Sequence, residues 1–141
     1  MPEVPYKLAE IAIEPYFPTW KERERVFYFD RLNYALREAK VYVGEGNWEA
    51  AAEQWRTLST SSLRIYRFMA AFNMALYHEM TDSIDQAIAQ LDLAKVLAVK
   101  KDKDGNSVSL IDTTLVDEYR EVLINRRKEI AKVDIYLKKL D

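Results

Sequence analysis

The sequence predicts an all-α protein, and three observations lead to this class. Only three Gly and four Pro occur among the 141 residues, which favours long helices joined by few turns. Residues 63–80 place apolar side chains on almost every face of a helix, as expected of a helix buried among neighbours. No segment alternates apolar and polar residues strongly enough to compete with the helical spacing. A chain of this length fits one domain with a substantial core, expected to span residues 1–141.

The N-terminal part is the least regular region of the predicted helical pattern. Residues 6–13 are compatible with a helix, but the segment is short and the prolines that follow must end it. Thr19 followed by Glu22 forms a capping box, in which two side chains satisfy free N–H groups of a first helical turn. We therefore expect a further helix that begins at Trp20 and breaks near Asp30.

A first helical hairpin is predicted for residues 31–58. Its first helix covers residues 31–43, and Gly46 ends it because glycine adopts the left-handed conformation that closes many helices. Asn47 is suited to cap the second helix, since its side chain can accept a hydrogen bond from a free N–H group. The inward stripe of this second helix is Trp48, Ala51, Ala52, Trp55 and Leu58.

A second helical hairpin is predicted for residues 62–99. Ser62 is expected to cap the buried helix, which reaches Met80. After a break at Thr81, Asp82 is expected to cap the next helix because an acidic side chain is favoured at a helix N-terminus.

The last predicted helix covers residues 114–140 and follows the only long polar interruption of the sequence. Thr114 and Asp117 resemble a capping box at its start. Its apolar residues recur about every 3.5 positions, with Arg126 interrupting the middle. The members of this stripe are Leu115, Tyr119, Val122, Leu123, Ile130, Val133, Leu137 and Leu140.

The two hairpins repeat each other with an offset of 36 positions. The corresponding pairs are Ala35 and Ala71, Ala39 and Ala75, Trp48 and Ile84, Ala51 and Ala87, Trp55 and Leu91, and Leu58 and Ala94. A helix–turn–helix unit repeated at such a period is typical of an α-solenoid, in which each unit packs against the next. Alanine at the contact positions lets antiparallel helices approach closely.

These residues resemble the tetratricopeptide repeat (TPR) family. The match consists of Ala39, Gly46, Ala51 and Trp55 in a unit of about residues 31–60, and of Ala75, Ala87, Leu91 and Ala94 in a unit of about residues 62–98. The units are longer than the family's roughly 34 residues, and Asp82 stands where the family usually has glycine. The resemblance implies a right-handed stack of antiparallel helix pairs with a long C-terminal capping helix, about residues 113–140.

A second, narrower resemblance concerns where the protein resides. The segments PYFPTWKERERVFYF, GNWEAAAEQW and AAFNMALYHEM are similar to uncharacterised envelope lipoproteins of Bacteroidetes. In those proteins a TPR-like half follows a signal peptide and an N-terminal domain. The resemblance implies that the chain is a fragment of a longer protein in the periplasm or at the outer-membrane face. The cytoplasm stays open as the alternative, since the sequence itself shows no signal peptide.

No combination of residues indicates a catalytic, cofactor or metal site. The chain has no Cys and His78 is its only histidine, so neither a thiolate site nor a histidine pair is available. Residues 102–106 begin like a calcium loop, but Thr113 stands where the bidentate Glu is required, so a solvated turn is expected. A net charge of −2 argues against nucleic acid, and no apolar run is long enough to span a membrane.

These observations favour a non-catalytic protein-interaction or scaffold module that binds a protein or peptide. In TPR proteins the first helix of each unit lines the concave face. The residues expected to bind a partner there are Asn33, Leu36, Lys40, Met69, Phe72, Asn73, Leu76 and Met80. We expect the last helix to cover this face as a cap, with an open face for an apolar helix or extended peptide as the alternative. Structural support for a further domain, or homo-oligomerisation, is the alternative function, and an enzyme is not expected.

Overall fold

The computed structural model describes residues 7–12 and 24–140, and this part of the chain is mostly helical. Its five helices are α1 (Tyr34–Gly44), α2 (Trp48–Leu58), α3 (Arg64–Met80), α4 (Ile84–Ala98) and α5 (Thr114–Lys139). Its four short strands are β1 (Lys7–Ala12), β2 (Glu24–Phe29), β3 (Val99–Lys101) and β4 (Ser107–Ser109). The helices confirm the all-α prediction in its broad form, and the strands depart from it.

The largest departure is the parallel pair formed by β1 and β2, where the sequence predicts helices. The two strands pair from Lys7 opposite Glu24 to Ala12 opposite Phe29. A short apolar run such as that in β2 suits a buried strand as well as a helix, so its environment decides. Here the strand lies against α1 and α3, and α3 supplies a side chain that satisfies its backbone. The predicted helix start at Trp20 lies outside the described residues.

The turns inside the two helical hairpins have the same hydrogen-bond pattern, displaced by 36 positions. After α1, the N–H groups of Gly46 and Asn47 donate to the carbonyls of Val43 and Tyr42 at 3.0 and 2.8 Å. After α3, the same two bonds run from Asp82 to Glu79 and from Ser83 to His78 at 3.1 and 2.7 Å. Both are Schellman motifs, which require a left-handed residue after the helix.

Gly46 and Asp82 supply the left-handed residues of these turns. Their φ angles are 71° and 61°, so Asp82 adopts the conformation that Gly46 adopts in the first hairpin. The prediction that Asp82 caps α4 is therefore wrong, because this residue closes α3 instead. Ser83 is the N-cap of α4, and it makes no side-chain capping bond.

Of the three other predicted helix caps, one is confirmed and two lie at a different residue from the one predicted. Asn47 caps α2 as predicted, since its Oδ1 accepts a hydrogen bond from the N–H of Ala50 at 3.1 Å. Leu63, rather than Ser62, is the N-cap of α3, and it lacks a capping bond. At the start of α5, Asp112 accepts hydrogen bonds from Thr114, so the predicted box beginning at Thr114 is displaced.

The burial of the helices follows the repeat. The predicted inward residues Ala51, Ala52, Trp55 and Leu58 of α2 are buried, and so are their counterparts Ala87, Ile88, Leu91 and Ala94 of α4. The alanine pairs Ala35 with Ala71 and Ala39 with Ala75 are buried as well. α3 is the central helix, because it packs against α2 and α4 on one side and against β2 on the other.

The last helix runs antiparallel to α4 after a β-hairpin. β3 pairs with β4, and the connecting turn uses the Asp102 carboxylate to accept N–H groups of Asp104 and Asn106, both at 2.9 Å. The predicted solvated turn is thereby confirmed. Three exposed ion pairs then follow the interface between the helices: Lys95 with Asp117, Arg120 with Asp92, and Arg127 with Asp85.

Candidate functional site

The residues predicted to line the concave face are mostly buried in the described structure. Five of them are excluded from solvent almost completely: Leu36, Met69, Phe72, Asn73 and Leu76. Strand β2 lies against this side of α1 and α3, and Tyr119 of α5 also reaches it, with its ring centre 5.7 Å from that of Phe72. These five residues therefore belong to the core, and the alternative of an open partner-binding face does not hold for them. The predicted role of these five residues in partner binding is corrected accordingly.

The three remaining predicted residues lie around the edge of the same region. Asn33 is half-buried and caps α1 by accepting the N–H of Leu36 at 3.0 Å. Lys40 is exposed, and its Nζ lies 4.7 Å from the centre of the Phe29 ring at the end of β2. Met80 is half-buried at the end of α3. The structure thus brings Lys40 to β2, which the sequence did not predict.

Asn73 holds β2 through its backbone, in the manner of a neighbouring strand. The N–H of Tyr28 donates to Asn73 Oδ1 at 2.7 Å, and Asn73 Nδ2 donates to the carbonyl of Tyr28 at 2.9 Å. The Tyr28 ring meets Phe68 and Phe72 edge to face, with ring centres 5.4 and 5.0 Å away. Burial, with a smaller contribution from Asp112, raises the pKa of the Tyr28 hydroxyl.

Glu79 is the centre of a buried polar network that joins β2, α3 and α5. Its carboxylate accepts Arg25 Nε at 2.7 Å and Arg25 Nη2 at 2.8 Å, a bidentate pair. The hydroxyl of Tyr119 donates to Oε1, and Arg126 Nη1 donates to Oε2 at 3.0 Å. The side chain of Glu79 is fully excluded from solvent, whereas that of Arg126 is 37% exposed.

All the acceptor positions of the Glu79 carboxylate are occupied, and the network links β2, α3 and α5 to one another. Each oxygen of the Glu79 carboxylate accepts two hydrogen bonds, and Arg25 also lies 5.5 Å from the centre of the Tyr119 ring. Desolvated charges are tolerated only when they are paired and hydrogen-bonded in this way. Loss of the Glu79 carboxylate would break its hydrogen bonds to Arg25 of β2 and to Tyr119 and Arg126 of α5, so both elements depend on it.

Sequence reasoning missed this network, although one signal for it was available. Glu79 falls inside the stretch predicted to be buried on all faces, and a charged residue in such a helix requires a partner of opposite charge. The partners themselves are not readable from local pattern, because Arg25 and Arg126 lie 54 and 47 positions away.

The other candidate site is an exposed surface, the C-terminal half of α5. The spacing of three and four residues that places Val116, Tyr119 and Leu123 in the core continues past Arg126. We call the continuation the outer stripe: it comprises Ile130, Val133, Leu137 and Leu140, which are 45%, 55%, 54% and 64% exposed. Residues 127–140 are all exposed, so the outer stripe is an apolar helix face with no cover among the described residues.

Within the described part of the chain, no cluster of His, Cys, Asp or Glu has the arrangement of a metal site. No helix in that part is long and apolar enough to cross a membrane.

Comparison with known proteins assigns the chain to a family. The family described as "Domain of unknown function (DUF6340)" matches residues 37–140, which include most of α1 and the whole of α2 to α5. The protein therefore belongs to the DUF6340 family. No curated protein and no solved structure matches the chain significantly.

Proposed function

We propose that this domain is a non-catalytic protein-interaction module of TPR type, which binds a partner helix through the outer stripe of α5. The TPR-type arrangement is supported by the two Schellman turns with the same hydrogen bonds 36 positions apart. It is supported further by the buried alanines that recur with the same offset. The interaction role is supported chiefly by the outer stripe.

The outer stripe is unfavourable unless a partner covers it. Four large apolar side chains, each 45–64% exposed, lie on one face of a helical segment that has no neighbours among the described residues. Isolated helices shorter than about 12–15 residues are marginal in water, so packing must stabilise this half of α5. A second amphipathic helix laid along the stripe would bury the apolar face and supply that packing.

The charges beside the outer stripe disfavour self-pairing and favour a basic partner. With Ile130 and Leu137 at the first heptad position, the positions that flank the seam hold Glu129, Asp134 and Tyr136, so both charged flanking residues are acidic. A parallel pair of identical helices would place Glu129 opposite Asp134, and an antiparallel pair over the stripe would place Asp134 opposite Asp134. Both arrangements oppose like charges. The preferred partner is a helix with Lys or Arg beside its apolar seam.

Homo-oligomerisation is the second candidate function, and the same apolar face supports it. Its energetic cost is the like-charge contact at Asp134, which a stable dimer must outweigh through apolar burial. Support for a further domain is compatible with either candidate. A non-catalytic role is favoured because both described buried carboxylates already accept hydrogen bonds. Glu79 accepts from Arg25, Tyr119 and Arg126. Asp30 accepts from the N–H of Leu32 and the hydroxyl of Tyr66.

A designed helix tests the proposal directly. The probe is a fluorescent peptide with apolar residues at the spacing of the outer stripe and Lys at the flanking positions, compared with the same peptide carrying Glu there. We expect the Lys peptide to bind in fluorescence anisotropy and the double variant I130S/L137S to bind at least about tenfold more weakly, since about 1.4 kcal/mol gives this factor. The matched control is V41S/V96S, which removes two exposed apolar residues elsewhere.

Two results would contradict the proposal. The first is equal binding of the Lys and Glu peptides, or binding that I130S/L137S leaves unchanged. The second is a dimer mass for the wild type in light scattering that I130S/L137S reduces to a monomer, which would establish homo-oligomerisation instead.

A further inference from the structure

A groove of about 340 Å³ lies between α2, α3 and α4. Its floor is the face of α3 that carries Ala70, Ala71 and Met74, which is opposite the face that β2 covers. The small side chains of the two alanines leave the floor deep, and Leu93 of α4 contributes an apolar wall. The volume falls in the lower part of the range of about 300–1,000 Å³ found for ligand sites.

The groove is positively charged. Arg56 of α2 and Arg67 of α3 line it, and no Asp or Glu is among its lining residues. Neither arginine forms an ion pair with a carboxylate of the described residues. His78 also lines the groove, but burial and the nearby Arg56 lower its pKa, so the positive charge near neutral pH belongs to the two arginines.

Arg67 has a donor that lacks an acceptor. Its Nη1 donates to the carbonyl of Ser61 at 3.2 Å. Its Nε is excluded from solvent and has no hydrogen-bond partner within the described ranges 7–12 and 24–140. A buried N–H of a charged group without an acceptor is unfavourable, so the groove lacks the group that would complete it. A carboxylate is the natural complement, because a guanidinium binds it through two parallel hydrogen bonds.

We propose that the groove binds an extended or helical segment of a partner protein in which an acidic residue adjoins apolar residues. The Asp or Glu carboxylate pairs with Arg67 and Arg56, and a neighbouring Leu or Ile side chain lies on Ala70 and Ala71. The charge of the groove selects an acidic segment, and its apolar floor and the Leu93 wall select the adjoining side chain. The groove shares no residue with the outer stripe, so this proposal and the proposed function can fail separately.

The test uses the full chain and two capped peptides, acetyl-LDELL-amide and acetyl-LNQLL-amide, so that neither carries a terminal carboxylate. We expect the acidic peptide to bind at least tenfold more tightly than the neutral one by fluorescence anisotropy. In NMR spectra it should shift the Nε–H resonance of Arg67. R56Q and R67Q should each weaken binding of the acidic peptide, and added salt should do the same. The matched control, R37Q, removes an exposed arginine of α1.

R56Q distinguishes loss of binding from misfolding, because Arg56 is exposed and its replacement leaves the core intact. Equal affinity for both peptides, or unchanged binding by R56Q together with R67Q, would overturn the proposal. Octanoate serves as a third probe, since it joins a carboxylate to an apolar chain without a peptide. Octanoate binding as tight as that of the acidic peptide would assign the groove to small fatty carboxylates and would also overturn it.

Discussion

The two halves of α5 share one apolar spacing but lie in opposite environments. In the inner half, Val116, Tyr119 and Leu123 are completely buried against the rest of the protein. In the outer half, the side chains of the outer stripe are about half exposed. Arg126 stands between the halves, where it reaches the buried carboxylate of Glu79.

This difference shows what an amphipathic pattern determines and what it leaves open. The spacing determines that both halves form a helix with one apolar face. The occupant of that face depends on tertiary contacts: α4 lies along α5, and the network at Glu79 fixes the inner half to β2 and α3. Arg127 still pairs with Asp85 of α4, and beyond it no described residue covers the outer stripe.

The largest expected effect comes from the network that holds the inner half in place. Glu79→Ala would remove the carboxylate that accepts from Arg25, Tyr119 and Arg126, and breaking a buried pair in this way costs about 3–5 kcal/mol. Urea denaturation measures the free energy of unfolding. The loss should also appear as faster hydrogen exchange in β2 and in the inner half of α5, because both depend on this carboxylate.

A double variant separates the pairing from simple loss of packing. In R25M/E79L both charges are replaced by apolar groups, and replacement of a buried pair by apolar residues is often neutral or stabilising. We therefore expect the double variant to be more stable than E79A. A loss below about 1 kcal/mol for E79A, the range of exposed ion pairs, would show that the network contributes little.

The next prediction compares the same substitution in the two halves of the helix. Leu123→Ala removes a fully buried side chain and should cost about 2–5 kcal/mol, since it leaves a cavity. Leu137→Ala removes a side chain that is 54% exposed and should change stability by less than about 0.5 kcal/mol. Thermal or urea denaturation at low protein concentration measures both.

These two variants also test whether the outer stripe is uncovered in a single molecule. A large loss for L137A at low concentration would mean that the outer stripe is already covered within one molecule. A loss for L137A that appears only at high protein concentration would mean that copies of the chain cover it for each other.

The helical part of the fold was predictable because its signals are local. The spacing of apolar residues places α2, α4 and α5, the left-handed glycine at Gly46 ends the first hairpin, and Asn47 caps α2. The offset of 36 positions also predicts the matching turn at Asp82, even though the residue type differs. These features depend on residues within a few positions of each other.

The candidate sites were less predictable because their partners are distant in sequence. β2 is a strand because β1 and Asn73, which lies 45 positions after Tyr28, both pair with its backbone, and no local pattern reports those contacts. Five of the residues predicted to line a concave face lie instead in the core beneath β2. The groove at Arg67 likewise requires α2, α3 and α4 to be placed together.

The smallest expected effect on stability comes from Asp112, just before the start of the inner half of α5. Hydrogen bonds from the Thr114 hydroxyl and then from the Thr114 N–H lower the pKa of the Asp112 carboxyl in the folded protein. A carboxyl with a lowered folded-state pKa stabilises the protein above its unfolded-state pKa of about 3.9, and this contribution is lost as the pH falls through the folded-state value. Asp112 lies just before the start of the inner half of α5, so this half should show the dependence on pH.

Asp112→Ala should therefore be slightly less stable than the wild type at pH 7, and the difference should shrink as the pH falls below about 4. Asp112→Asn is the matched control, because its amide oxygen can still accept the two hydrogen bonds but does not titrate. Urea denaturation across a series of pH values measures all three proteins. A difference between wild type and D112A that stays constant or grows on acidification would show that Asp112 does not anchor the helix as an ionised carboxylate.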